Sequence, residues 1–273
     1  MHFKHQNVTI VGTSHVAEES MKEIEELFQK ETFAVVGIEL DPNRVQSLMS
    51  NEKRKPGFGV MTRNFGMRAA LFAMFASWAQ KKIGKLVGLD PGSDMKQAII
   101  LAAKHKIPLA CIDQDIRVTL KRLNRQLNFG FVWNIIKDIV GGLLFPKKMK
   151  KKLGIDKLDL SRLPSEEVIA KVLDAMRLQY PGLFNVLVDE RNIVMTKNII
   201  MMQNQFNQQQ ILAVVGAGHI AGIKKLLQDH VYEAPVYTPR IDDIYHNNVD
   251  IEYNKMTTST NTSKRNRRAV RHD

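Results

Sequence analysis

The sequence predicts an α/β protein with a central mixed or parallel sheet and flanking helices. Three observations carry that prediction. Apolar, β-branched runs recur at residues 8–11, 33–40, 107–113 and 211–215, and helical periodicities lie between them. The segment VTIVGTSHVA (8–17) returns without a gap as LAVVGAGHIA (212–221). Strands alternating with amphipathic helices build βαβ units, whose strands run parallel and whose crossovers are right-handed.

Taken in order, residues 8–11 form a strand that Gly12-Thr13-Ser14-His15 ends. Met21, Ile24, Leu27 and Phe28 then repeat at helical spacing, with Glu18, Glu19, Glu23, Glu25 and Glu26 on the opposite face. Residues 33–40 are the second strand, stopped by Asp41-Pro42. Residues 51–64 (NEKRKPGFGVMTRN) read as a mobile basic loop. Helices follow at about 66–85 and 94–105, the latter entered through Pro91-Gly92-Ser93. The strand at 107–113 ends on Asp113. Asp115 is the expected N-cap of a helix marked by Ile116, Leu120, Leu123 and Leu127. Helices are expected at 131–145, 165–178 and 182–205, then the strand 211–215, a helix through Leu227 and a last short strand at 234–237. The expected domain is 1–246, with a helical insertion at about 115–205. Residues 247–273 are a polar, basic tail with the composition of a disordered segment.

Composition narrows the function classes. A chain of 273 residues with 44% hydrophobic and 25% charged residues is globular and long enough for a substantial core. The single cysteine, Cys111, excludes an internal disulfide and a Cys-rich zinc site, and it lies in the apolar run 107–112, where a buried, inert thiol is expected. The N-terminal residues lack the apolar stretch of a secretory signal. No apolar run of roughly 18 residues is present, and residues 127–145 are interrupted by Asn128, Asn134, Lys137 and Asp138. A cytoplasmic protein is expected, with peripheral attachment to a membrane surface through 131–152 as the alternative. The net charge of +12 is concentrated partly in Lys147 to Lys152 and in Lys264 to Arg271. That clustering argues for general attraction to anions and against a dedicated nucleic-acid reader. Gly216-Ala217-Gly218 opens like a dinucleotide fingerprint, but Gly222 follows Gly218 by four residues instead of three, and no nucleotide site is expected.

The repeated segment carries the functional signal. Each copy is four residues of strand, then Gly-x-x-His, then an apolar residue and an alanine opening a helix. In parallel sheets, functional groups collect beyond the carboxyl ends of strands, where loops enter helix N-termini. His15 and His219 occupy that position, and Glu39 ends the second strand beside them. Two imidazoles and a carboxylate suit a divalent metal with a coordination position left for water, and zinc, manganese and cobalt are all compatible. Acid–base work by the histidines without a metal is the open alternative.

Several motifs in this order resemble the TraB (pheromone-shutdown) family, which is related to the Tiki group of metal-dependent peptidases. They are GTSH at 12–15, GIELDPNR at 37–44, GLDPGSDMKQAI at 88–99, DQDIRVTLKR at 113–122, DERN at 189–192 and GAGHIAGI at 216–223. The resemblance implies an α/β core with paired Gly-x-x-His motifs and carboxylates supplied between them. It tilts the metal towards manganese or cobalt and the reaction towards hydrolysis of a peptide, and it adds Asp94 to the expected ligands. Asp94 stands where relatives often carry glutamate. Many relatives also continue into membrane-spanning helices, whereas this sequence continues into a charged tail.

The remaining candidates are charged residues on helices. Glu190 falls by spacing on an apolar face with Leu183, Val186, Leu187, Val194 and Met201, so it needs a partner. Arg44 and Arg122 are the expected ones, with a catalytic role as the other reading. Glu39 has two compatible roles, as metal ligand or base and as partner of Arg44. Arg44, Arg122 and Arg191 are candidates for gripping a substrate carboxylate or stabilising developing negative charge. The rival to a hydrolase is a protein that sequesters a peptide signal without cleaving it. The oligomeric state is not legible.

Overall fold

A computed structural model of the protein describes residues 2–13, 18–50, 57–87, 92–130, 132–134, 137, 140 and 166–229. Strands β1 (His2–His5), β2 (Val8–Thr13), β3 (Val35–Ile38), β4 (Leu109–Cys111) and β5 (Ile211–Gly216) form one sheet in the order β1-β2-β5-β3-β4. β1 pairs antiparallel with β2, and every other pairing is parallel. The expected mixed sheet is therefore present, with β1 as an added hairpin strand. Its alternation of exposed and half-buried residues gives it no apolar signature in the sequence.

β2 and β5 are buried along their whole length, and each strand feeds alternate side chains to two layers. On one side, Val11, Val36, Ile38, Leu212 and Val214 pack against α1 (Glu18–Lys30) and α5 (Ser93–Lys104) through Ile24, Leu27, Phe28, Met95, Ile99 and Ala102. On the other, Val8, Ile10, Ile211, Ala213 and Val215 meet Met195, Ile199, Met202, Ile220 and Ile223.

Between these strands lie α2 (Pro42–Met49), α3 (Phe58–Phe65), α4 (Met67–Val87) and α6 (Ile116–Gln126). A further run of helices comprises α7 (Glu166–Gln179), α8 (Pro181–Phe184), a π-helical turn (Asn185–Asp189), α9 (Glu190–Gln205) and, after β5, α10 (Ala217–Asp229). Asp115 caps α6 as expected, accepting from Arg117 N at 2.7 Å.

Three local expectations need correction. Asp41-Pro42 does not only end the second strand: Asp41 caps α2, accepting from Asn43 N and Arg44 N, and Pro42 occupies the first turn, where its missing N–H costs nothing. Residues 51–64 were expected as loop, yet Phe58–Phe65 is helical because Met61 and Phe65, one turn apart, pack onto the cluster of Leu120, Leu123 and Leu183. The third correction lies in the long helix after Pro181. The π turn inserts one residue, so beyond it the sheet-facing side runs through Met195 and Met202; Val194 stays buried as expected, but Met201 does not. Met201 is 39% exposed. The expected tail, the strand at 234–237 and most of the expected helix at 131–145 lie outside the described residues, and the described residues 132–134, 137 and 140 of that stretch are helical.

The two repeated segments are neighbours, but not as superimposed copies. Sequence alignment matches Gly12 with Gly216; the sheet register pairs Gly12 with Val215 and Thr13 with Gly216. A one-residue offset sends aligned side chains to opposite faces. The helices that follow obey it: α1 packs with α5 on one layer, α10 with α9 on the other. Adjacent parallel strands whose following helices diverge to opposite faces create a crevice beyond their carboxyl ends.

Candidate functional site

Where that rule places the crevice, the ends of β3, β4 and β5 bring Glu39, Asp113 and Gly216 together around Arg191. Gly12 brings its two Gly-x-x-His segments into contact: a Cβ there would lie 3.2 Å from Ala217 Cα and overlap the Ile220 side chain. Only glycine on β2 lets α10 sit this close. His15 lies outside the described residues. His219 is buried in the first turn of α10.

Glu39 directly follows β3 and is buried. Its Oε2 accepts the backbone N–H of Gly216, and its Oε1 stands 3.4 Å from His219 Nε2. The far side of the imidazole is fixed by Asn192, whose Oδ1 lies 2.7 Å from His219 Nδ1. Asn192 is itself buried and packs against Gly222, where a Cβ would overlap Asn192 Nδ2. With Nδ1–H donating to that carbonyl oxygen, Nε2 is directed at Glu39. Two acceptors then face each other unless a proton or a cation lies between them.

Arg191 braces the same carboxylate. Its Nη2 pairs with Glu39 Oε1 and lies 2.7 Å from Asp113 Oδ2, its Nε donates to Asp113 Oδ1 at 2.9 Å, and its Nη1 donates to Leu187 O at 3.3 Å. Burial opposes its charge, but the carboxylates of Asp113 and Glu39 outweigh burial and hold the guanidinium pKa above its ordinary value. Arg44 Nη1 reaches the same Asp113 Oδ2 at 3.0 Å. Glu39 thus partners Arg191, and Arg44 partners Asp113, where the sequence suggested Glu39 with Arg44.

Asp94 sits in the first turn of α5 and accepts the Thr13 hydroxyl, in the layer of α1 and α5, whereas Glu39 and His219 meet on the layer of α9 and α10. Glu190 pairs with Arg122, whose Nε lies 3.2 Å from Oε2, and accepts from Asn185 Nδ2 at 3.2 Å. The structure therefore gathers Glu39, His219, Arg191 and Arg44 into one cluster through Asp113, and places Glu190 and Arg122 together as a separate pair. Among the described residues, no group of three or more His, Cys, Asp or Glu side chains is arranged to hold a metal ion.

Two members of the cluster were not singled out by the sequence. Asp113 reads as a strand end, and its place between two arginines follows from the pairing of β3 with β4. Asn192 sits in the DERN segment, where the signal was a polar residue on the sheet-facing side of a helix. Recognising it requires knowing the π turn. Among the described residues no helix is long and apolar enough to cross a membrane.

Comparison with known proteins matches the profile of the TraB/PrgY/gumN family across residues 1–233. An uncharacterised protein of Methanocaldococcus jannaschii is 32% identical over 222 residues, covering 81% of this chain and 53% of the relative. The TraB domain-containing proteins of Mus musculus and Homo sapiens are each 24% identical over 243 residues, covering 80% of this chain and 62% of theirs. The chain thus spans between half and two thirds of the length of these relatives. With the profile matched over residues 1–233, the chain belongs to the TraB/PrgY/gumN family.

Proposed function

We propose that the crevice beyond β2 and β5 is a metal-dependent hydrolytic site acting on peptides. The observation that supports it is the opposed pair of His219 Nε2 and Glu39 Oε1 at 3.4 Å, with Nδ1 tied to Asn192. Two donors each about 2.1 Å from one ion, at the tetrahedral angle, stand about 3.4 Å apart. The residues therefore fit as two ligands of a divalent ion, manganese, cobalt or zinc. A third donor would come from His15; Asp94 accepts the Thr13 hydroxyl on the opposite layer.

A bound divalent ion would lower the pKa of a coordinated water and polarise a scissile carbonyl. The protein groups have separable tasks. Asn192 holds the imidazole in one tautomer with Nε2 unprotonated, the arrangement that outer-shell partners impose on ligating histidines. Glu39, its position fixed by Gly216 N–H and Arg191, would either ligate the ion through Oε1 or, displaced from it by a bound water, accept that water's proton. Arg191 spends its donors on protein acceptors, so we assign it to positioning Glu39. Arg44, more exposed and bound to Asp113 through Nη1, is the better candidate for a substrate carboxylate. Glu190 is engaged by Arg122, which favours Glu39 as the base.

The test is metal content together with turnover. Purified protein should carry close to one equivalent of a divalent metal and cleave members of a peptide library. Chelation should abolish cleavage, and His219→Ala and Glu39→Gln should each lose the metal. Folded wild-type protein that holds no metal, and cleaves equally with and without chelator, would overturn the proposal. Peptide binding without turnover in the metal-loaded protein would point to sequestration in the same crevice.

A further inference from the structure

Among the described residues, most of the exposed large apolar side chains lie on α3, α4 and α6 or just after α6. Met67, Met74 and Trp78 are exposed on α4 and, seven and four residues apart, form a single stripe. Phe58 is exposed at the start of α3, and Phe129 and Trp133 are exposed just after α6. These elements are one unit: α3 packs on α4, both pack on α6, and Arg68 of α4 lies over the Phe129 ring at 5.9 Å. Trp78 is 43% exposed and Trp133 68%. Aromatic rings left in water at this level are unusual on a surface with no partner.

The charge around them has one sign. Residues 57–87 contain Arg63, Arg68, Lys81, Lys82 and Lys85, and residues 116–137 contain Arg117, Lys121, Arg122, Arg125 and Lys137; neither stretch contains an aspartate or glutamate. Arg117 and Arg122 are offset by Asp115 and Glu190. Arg63, Lys81, Lys121, Arg125 and Lys137 are exposed.

We propose that this α3–α4–α6 face docks on the surface of an anionic lipid bilayer. Tryptophan, phenylalanine and methionine would enter the headgroup boundary while the cations meet lipid phosphates and carboxylates. Charge complementarity selects that occupant. A second copy would bring the same positive charge to the contact, and a nucleic acid would use the cations but not the methionine stripe. The proposal is independent of the hydrolytic reading, because none of its residues belongs to the Glu39–His219 cluster.

The two tryptophans of the chain, Trp78 and Trp133, both lie on this face, so intrinsic fluorescence reports the contact directly. Full-length protein is mixed with phosphatidylcholine vesicles, with or without phosphatidylserine, and followed by emission and co-sedimentation. Phosphatidylserine vesicles should blue-shift the emission and protect it from an aqueous quencher, and added salt should reverse both. Phe129→Ser and Met74→Ser, both at exposed positions that keep the reporters, should each weaken binding about tenfold, the value of one large apolar side chain leaving the interface. Circular dichroism should remain unchanged. Sedimentation with unshifted tryptophan emission would assign the contact to cations elsewhere and overturn the proposal. So would single-stranded RNA shifting the emission where vesicles do not.

Discussion

On one helix, Glu190 pairs with Arg122 of α6 near the surface, while its neighbour Arg191 turns towards the sheet and holds Glu39 and Asp113. The groups are chemically alike, a guanidinium against carboxylates within hydrogen-bonding reach. Their surroundings differ. Arg122 is 50% exposed and its partner Glu190 19%, whereas Arg191 is 16% exposed and its two carboxylate partners almost fully buried. A half-exposed ion pair contributes about 0–1 kcal/mol, because water screens it and the long side chains lose freedom. A buried cluster is different: removing one member strands charges that have already lost their water. The comparison separates a pair that decorates a helix from a cluster on which the crevice depends.

The sharpest way to break that distinction is Arg191→Met, which removes the cation from two buried carboxylates at nearly constant volume. Stability to urea should fall by about 3–5 kcal/mol, the usual cost of breaking a buried pair from one side. Arg191→Lys should recover only part of the loss. One ammonium cannot reproduce the contacts of Nε, Nη1 and Nη2 with Asp113, Leu187 and Glu39. A loss under about 1 kcal/mol for the methionine variant would place Arg191 in the same class as Arg122.

A smaller effect is expected one residue on. Asn192→Ala leaves the buried His219 without the oxygen on its Nδ1, and Gly222→Ala should do the same indirectly, since a methyl at 222 displaces the Asn192 side chain. Each should cost about 1–3 kcal/mol, the desolvation penalty of an orphaned buried polar group. Each should also weaken divalent-metal affinity by about 10–100-fold, as loss of an outer-shell partner does. Metal titration of the two variants beside wild type checks both numbers. Equal stability with unchanged affinity would remove Asn192 from the site.

Much of this was legible in the sequence, for physical reasons that also explain what was not. β2, β3 and β5 are buried on both faces and so read as apolar runs, and the placement of Glu39 and His219 follows from the rule that sites lie beyond strand ends. The apolar spacing also showed that Glu190 needs a partner, and Arg122 was one of two named. The π turn left no trace: one inserted residue changes neither composition nor polarity, yet it rotates everything after Asp189 by about 100°. Arg191 and Asn192 therefore face the sheet where spacing put Glu190. The repeat misled in a related way. Matching glycines suggested equivalent positions, but the one-residue register offset places the following helices on opposite layers. Pro42 was read as a stop because the same residue that ends a strand also starts a helix.

The smallest expected effect completes the comparison. Arg122→Ala removes the cation facing Glu190, but the carboxylate keeps Asn185 Nδ2 at 3.2 Å on Oε1, and its side chain is 19% exposed although Oε2 itself is buried. Arg122 is exposed on α6, so alanine leaves no cavity, and alanine's helix propensity slightly favours the variant. Stability should change by less than about 1 kcal/mol, and raising the salt concentration should shrink the difference further. A double-mutant cycle with Glu190→Gln isolates the pair from these side effects. A coupling energy above about 2 kcal/mol would mean that Glu190 is desolvated as thoroughly as Glu39. The π turn would then have built two buried ion clusters instead of one, and Glu190 would return as a candidate base beside Glu39.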